Sequence, residues 1–167
     1  MKPLCFETGL YLHAPLELQH VFKRIAFILL MIAVPCSNVS AKGVEDVLSK
    51  IKATVALWEI VDYTVANIDI DQLSKNSDTR SLTRKLYSGN KYQIIAIGDR
   101  NFTDVDLTVY KKVNGSWVNV GKDVDTSNVA IVELDCSYST EYKFEVKAYS
   151  FAAGSGTGYY GLAILFK

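Results

Sequence analysis

Apolar and polar residues alternate strictly in residues 104–110. Val105, Leu107 and Val109 fall on one face of an extended chain, and the residues between them, which are mostly polar, fall on the other. A period of two is typical of a strand that has one face in a core and the other in solvent. The segment therefore predicts a half-buried strand with Leu107 in the middle of its buried face.

Seven segments with this period or with a strand-like composition follow one another along the second half of the chain. They are residues 80–87, 91–98, 104–113, 117–120, 129–134, 140–149 and 159–166. Residues 91–98 are rich in β-branched side chains, which favours a central strand, and Asn114-Gly115 predicts a type I′ hairpin turn. Seven to eight short strands at even spacing predict a mostly β fold, an antiparallel β-sandwich or jelly roll over residues 80–167.

The segment ahead of the strands has a helical period instead. Apolar residues recur about every 3.5 positions at Val44, Val47, Ile51, Val55, Trp58, Val61, Val65 and Ile68, which predicts one long amphipathic helix over residues 42–68. Its middle is apolar on two sides, so we expect it to cover the sandwich, and self-association through residues 44–68 is an open alternative. The polar residues 69–79 lack a period and predict a linker.

Residues 1–41 are typical of a leader. A basic flank, Lys23-Arg24, precedes an apolar run of 10 residues at 25–34, and Val39-Ser40-Ala41 follows. This pattern predicts a signal peptide cut after Ala41, because the apolar run is shorter than the roughly 20 residues that span a bilayer. We therefore expect a secreted or periplasmic protein without stable membrane insertion after cleavage.

The composition beyond the leader excludes several chemistries. Residues 42–167 contain 15 basic and 16 acidic residues, no His, and one cysteine, Cys136. Without His, a Ser-His-Asp triad, a Cys-His dyad and a His-based zinc site are excluded. The balanced charge makes nucleic acid an unfavourable partner. A lone cysteine in an oxidising compartment is either buried or paired with another chain, and we expect Cys136 to be buried.

Several segments follow one another as in a known family. They are Tyr-Ser-Gly-Asn-Lys-Tyr at 87–92, Asp-Val-Asp-Leu-Thr-Val-Tyr at 104–110 with the hairpin after it, Glu-Tyr-Lys-Phe-Glu-Val-Lys-Ala-Tyr at 141–149, and Tyr-Tyr-Gly-Leu-Ala-Ile at 159–164. In this order they resemble bacterial pre-peptidase C-terminal domains, over residues 80–167. The resemblance implies a secreted, non-catalytic accessory β-sandwich that in some members binds calcium or a polymeric substrate. Since only a helix is predicted ahead of the sandwich, we expect a free-standing role.

Aspartates are the candidate metal ligands. The calcium hypothesis rests on Asp99, Asp104, Asp106, Asp123 and Asp125, since calcium takes six to eight oxygen ligands. The alternative is that these aspartates cap turns. A third hypothesis, a small carboxylate-dependent hydrolase, draws on Asp104, Asp106, Glu133 and Glu145. We expect no enzyme, because small sandwiches rarely enclose a deep cleft.

Aromatic residues beside turns are the candidate ligand-binding set. Tyr110 and Trp117 flank the Asn114-Gly115 hairpin, and Tyr149, Phe151 and Tyr159 bracket the glycine-rich residues 152–158. Aromatic rings beside Asp and Asn suit sugars or peptides, because a ring stacks while polar groups fix orientation. The alternative is that these rings close the ends of the sandwich. The leading hypothesis is a non-enzymatic β-sandwich that binds a protein or carbohydrate partner.

Overall fold

A computed structural model describes residues 43–167, so the predicted leader, residues 1–41, lies outside the described residues. One helix precedes eight antiparallel strands. The elements are α1 (Val44–Glu59), β1 (Thr64–Ser74), β2 (Thr79–Leu86), β3 (Lys91–Gly98), β4 (Phe102–Val113), β5 (Ser116–Asp123), β6 (Val129–Asp135), β7 (Thr140–Phe151) and β8 (Thr157–Phe166). The predicted mostly β sandwich with one helix ahead of it is confirmed.

The eight strands form two sheets of four. Sheet A has the order β1-β8-β3-β6, and sheet B has the order β2-β7-β4-β5. The core lies between them and includes Val105, Leu107 and Val109 of β4, all 0% exposed, opposite Ile94 of β3 and Ile164 of β8. The alternation in residues 104–110 therefore predicted the buried face of β4 correctly.

Three local predictions are also confirmed. β3 lies between β8 and β6, as its β-branched composition predicted. The φ angles of Asn114 and Gly115 are 50° and 83°, so both central residues are left-handed, as a type I′ turn requires. Cys136 is buried, and its Sγ donates to the Tyr142 hydroxyl at 3.4 Å.

The predicted helix is confirmed over Val44–Glu59, but its extension to residue 68 and the linker predicted over residues 69–79 were wrong. The helix ends at Glu59, and β1 begins at Thr64 and continues to Ser74. The sequence pattern was misleading because of a β-bulge between Val65 and Asn67, which inserts an extra residue into the strand. Val65 and Ile68 then share one face at a spacing of three, and a spacing of three is also typical of a helix.

The helix packs on the outer face of sheet A. Val47 and Ile51 are both 0% exposed and pack against Ile95, Ala163 and Leu165. The side chain of Ile51 occupies the space that a Cβ would need at Gly161, so a glycine in β8 lets the helix approach the sheet. Within residues 43–167, no helix is long and apolar enough to cross a membrane.

Candidate binding face

The outer face of sheet B carries most of the polar and aromatic side chains that the sequence singled out. Within residues 43–167, α1 packs on sheet A and no element covers the outer face of sheet B, which we call the open face. The strand registers place its side chains in rows: Thr79, Ser81, Thr83 and Lys85 on β2; Glu141, Lys143, Glu145 and Lys147 on β7; Asp106, Thr108, Tyr110 and Lys112 on β4; Trp117, Asn119 and Lys122 on β5.

Charges of opposite sign are neighbours on the open face. Lys112 forms an ion pair with Glu141, and Lys143 Nζ lies 3.6 Å from Glu145 Oε2. The Tyr110 hydroxyl donates to Glu145 Oε1 at 3.4 Å. Partly exposed pairs of this kind contribute little to the free energy of unfolding. These pairs therefore add little to the stability of the fold.

A lysine lies against each aromatic ring of the open face. Lys143 Nζ is 4.2 Å from the Tyr110 ring centroid, and Lys112 Nζ is 5.7 Å from that of Trp117. These distances are within the range of cation–π attraction. Trp117 is 37% exposed, so its ring is oriented by the lysine and still accessible to a partner.

Tyr149 stands at the other end of the open face, beside a shallow depression. Its side chain is 67% exposed, and Lys147 Nζ lies 5.7 Å from its ring centroid. The depression has a volume of about 390 Å³ and is lined by Tyr149, Asp104, Asp106, Val124 and Thr126. Breaks in the β4–β7 register on either side of Asp104 place it opposite Ser150. The depression thus combines one exposed ring with two carboxylates.

The pKa values of two side chains on the open face are raised, and each rise has a clear cause. Partial burial, and then repulsion from Asp104, raise the pKa of Asp106, while Lys147 opposes this rise. Desolvation, followed by the charge of Glu145, raises the pKa of the Tyr110 phenol. Both pKa values are raised because the side chains are partly desolvated and have negatively charged neighbours.

Two of the five predicted ligand-binding aromatics serve the packing of the domain. The ring centroids of Phe151 and Phe102 are 5.1 Å apart, and Phe102 is 2% exposed, so Phe151 closes one end of the sandwich. Tyr159 packs with the cluster beneath α1, next to Gly43. Tyr110, Trp117 and Tyr149 are the three that share the open face.

The structure does not gather the five predicted calcium ligands. Asp99 is 0% exposed and accepts hydrogen bonds from the backbone N–H groups of Asn101 at 2.8 Å and Tyr159 at 3.0 Å. Asp123 accepts from Asp125 N and from Ile131 N. Across residues 43–167, no three His, Cys, Asp or Glu side chains form a group that could hold a metal ion. Asp99 and Asp123 instead cap the backbone, which was the stated alternative.

The carboxylates of the hydrolase hypothesis are similarly dispersed. Glu133 belongs to β6 in sheet A and accepts a hydrogen bond from Gln93 Nε2 at 2.8 Å. Glu145 belongs to β7 in sheet B. Asp104 and Asp106 share the shallow depression. An acid–base pair on opposite sides of a bond needs two facing carboxylates. Glu133 lies on the other sheet from the remaining three, and Asp104 and Asp106 lie side by side in a shallow depression.

The lysines of the open face were missed as functional residues. The alternation of β7 placed Lys143 and Lys147 on the outer side, but it did not show which rings they would contact. Those contacts depend on the register between β7, β4 and β5, which brings Lys143 beside Tyr110. A sequence pattern within one strand carries no information on that register.

Comparisons with known proteins report on the fold. No protein-family model matches the chain, and no curated protein matches it. The chain is similar to the pre-peptidase C-terminal domain of a collagenase from Bacillus anthracis, with 13% identity and a TM-score of 0.46 over 59% of this chain and 87% of that one. It is also similar to PliG of Aeromonas hydrophila, a periplasmic inhibitor of g-type lysozyme, with 12% identity and a TM-score of 0.42 over 63% of this chain and 86% of that one. A pre-peptidase C-terminal domain, the family that the sequence resembles, is thus among the structures similar to this chain.

Proposed function

We propose that this chain is an exported, non-enzymatic binding protein that recognises a protein partner with the open face of sheet B. The observation that carries the proposal is the asymmetry of the sandwich. A helix covers the outer face of sheet A, whereas the outer face of sheet B presents Tyr110, Trp117 and Tyr149 among paired charges.

The chemistry of this face supports a protein as the partner. Aromatic residues are enriched at the centre of protein interfaces, where they lose most solvent on binding. Charges of both signs, such as Lys112 with Glu141, select a complementary surface and disfavour wrong partners. Neither sign dominates, which agrees with the balanced charge of residues 42–167.

A carbohydrate is the second candidate, and the depression at Tyr149 favours it. An exposed ring stacks on the apolar face of a sugar, and carboxylates accept hydrogen bonds from its hydroxyl groups. Tyr149 with Asp104 and Asp106 supplies this combination. The same ring can belong to either proposal, so the experiment must separate them.

The partner test compares three variants on an affinity column. Trp117→Ala and Tyr149→Ala each remove an exposed ring from the open face, and Tyr138→Ala removes a ring that is 48% exposed in the β6–β7 turn, outside that face. The wild-type column isolates a partner from an extracellular extract, and calorimetry with the purified pair measures its affinity. We expect Trp117→Ala to weaken this affinity at least about tenfold and Tyr138→Ala to leave it unchanged.

Two outcomes of the affinity test would contradict the proposed protein partner. Equal affinity for all three variants contradicts the role of the open face. Loss of affinity with Tyr149→Ala alone, together with binding to a polysaccharide, supports the carbohydrate candidate.

Self-association through α1 is the remaining alternative, because Ile60, just after the helix, is 77% exposed. A mass in solution equal to one chain at high concentration would remove that alternative.

Export is part of the proposal and rests on the leader pattern in residues 1–41. If the signal peptide is cut after Ala41, N-terminal sequencing of the extracellular or periplasmic protein begins at Lys42. A protein that keeps residues 1–41 in the cytoplasm contradicts export.

A further inference from the structure

A second candidate site lies at the opposite side of the sandwich from β5 and β6, where the edge strands β1 and β2 of the two sheets face each other. The space between them forms a pocket of about 280 Å³, which is near the lower limit for ligand sites. We call it the edge pocket. Its apolar floor includes Ile164, Phe166 and Tyr92.

Asn67 gives the edge pocket an unpaired donor. Its Nδ2 atom is buried and has no hydrogen-bond partner, although a buried donor without a partner costs about 1–3 kcal/mol. The bulge between Val65 and Asn67 causes this placement, because it pairs Asn67 with Ile164 of the core side. Without the extra residue, Asn67 would follow Val65 onto the helix side. Such bulges often re-aim a side chain next to a binding site.

The charged residues that line the edge pocket are both cations. Arg84 and Lys85 belong to β2, and Arg84 Nη2 lies 3.7 Å from Asp69 Oδ2 in a pair that is nearly half exposed on both sides. A long, exposed pair of this kind is weak. Arg84 Nη1 also donates to the carbonyl oxygen of Thr83 at 2.9 Å. The guanidinium has five N–H donors, so donors remain for a further acceptor.

The Tyr92 hydroxyl completes a donor-rich rim. It accepts hydrogen bonds from the backbone N–H of Tyr87 at 3.0 Å and from Asn90 Nδ2 at 3.3 Å, so its own proton is available to an acceptor. The buried amide of Asn67, the guanidinium of Arg84 and this hydroxyl all donate, and the surrounding floor is apolar.

We propose that the edge pocket binds a carboxylate that carries an apolar group. The carboxylate accepts hydrogen bonds from Asn67 Nδ2 and Arg84, and the apolar group packs on Ile164 and Phe166. A carboxylate accepts several hydrogen bonds at once, which suits a rim of donors. This site shares Lys85 with the edge of the open face but none of the proposed donors, and it does not depend on the function proposed for that face.

The test uses 3-phenylpropionate and its neutral match, 3-phenylpropanamide, with the ¹⁵N-labelled protein. We expect the acid to shift the amide resonances of Asn67, Tyr92 and Ile164 and to bind at least about tenfold more tightly than the amide. Shifts centred on Tyr149, equal affinity for acid and amide, or no binding at about 10 mM would overturn the proposal.

Two variants and a matched control separate a site from a general charge effect. Arg84→Met and Asn67→Leu should each weaken the acid at least about fivefold. Arg80→Met is the control, because Arg80 lies on the same strand and pairs with Asp71 at 3.5 Å, but it is not among the pocket residues. Equal weakening by Arg80→Met and Arg84→Met would refute the site.

Asn67→Leu also has a readout in stability. Replacing an unpaired buried amide with an apolar side chain should leave the free energy of unfolding unchanged or raise it. A clear loss of stability would mean that the amide stabilises the fold.

A peptide ending in Phe with a free carboxylate, compared with its amidated form, then distinguishes a chain terminus from a small acid as the source of the carboxylate.

Discussion

The Ile51 side chain of α1 occupies the place that a β-carbon would take at Gly161 of β8, and Val47 Cγ1 would lie 2.8 Å from that carbon. The helix therefore rests directly on the backbone of the sheet. This contact explains how the helix covers one outer face of the sandwich, while the open face belongs to the other sheet.

Gly161→Val should destabilise the domain by about 1–3 kcal/mol, because the added side chain has to displace the helix. Urea unfolding measures the change.

A double-mutant cycle of Gly161→Ala with Ile51→Ala tests the same contact. The double variant should lose less free energy of unfolding than the two single variants together, because the cavity left by Ile51→Ala accepts the methyl group of Gly161→Ala. Gly156→Ala is the control, since a Cβ at Gly156 meets nothing within 4 Å, and additive costs would contradict the contact.

Gly115→Ala should cost about 1 kcal/mol for a different reason. A Cβ at Gly115 meets nothing within 4 Å, but its φ angle is 83°, which non-glycine residues adopt only with strain. Asn114→Gly should change the free energy of unfolding by less than about 0.5 kcal/mol, because glycine suits both positions of this turn. A neutral Gly115→Ala would show that the β4–β5 turn relaxes to another type.

Alkaline pH should destabilise the protein. Burial, followed by the charge of Asp71, raises the pKa of Tyr160 to about 12 from an ordinary 10.0, and burial raises the pKa of Cys136 above an ordinary 9.0. The unfolded chain then loses these protons first, so the stability that these two groups contribute is constant below pH 9 and falls as the pH rises above it. At pH 11, Tyr160 alone accounts for about 1 kcal/mol.

Unfolding midpoints in urea at pH 7 and pH 11 measure this loss. Tyr160→Phe should reduce the difference between the two midpoints, whereas Tyr149→Phe should not, because Tyr149 is 67% exposed. An identical difference in wild type and Tyr160→Phe would assign the alkaline loss to other groups.

Millimolar calcium should leave the thermal midpoint unchanged. The carboxylates of Asp99 and Asp123 are engaged by backbone N–H groups, and a ligand raises the midpoint only if it binds the native state. Asp106→Asn should likewise change the thermal midpoint little. A rise with calcium that magnesium does not reproduce, and that Asp106→Asn abolishes, would restore the metal hypothesis.

The sequence was sufficient for elements whose pattern is local. The alternation around Leu107 predicted β4 and its buried face, and Asn114-Gly115 predicted the turn after it, because period and turn chemistry depend on neighbouring residues. The failure at residues 64–74 has the opposite cause. The bulge beside Asn67 gives a strand the apolar spacing of a helix, and only the pairing with β8 shows that it is a strand.

The candidate sites divide along the same line. The residue types of the open face and the absence of His in residues 42–167 were visible in the sequence, so the exclusion of His-based chemistry in that range needed no coordinates. Which rings meet which lysines, that Asp99 caps a backbone, and that Asn67 and Arg84 share a pocket were decided by strand register and sheet pairing. These relations join residues far apart in the chain, and the spacing of residues along one strand does not encode them.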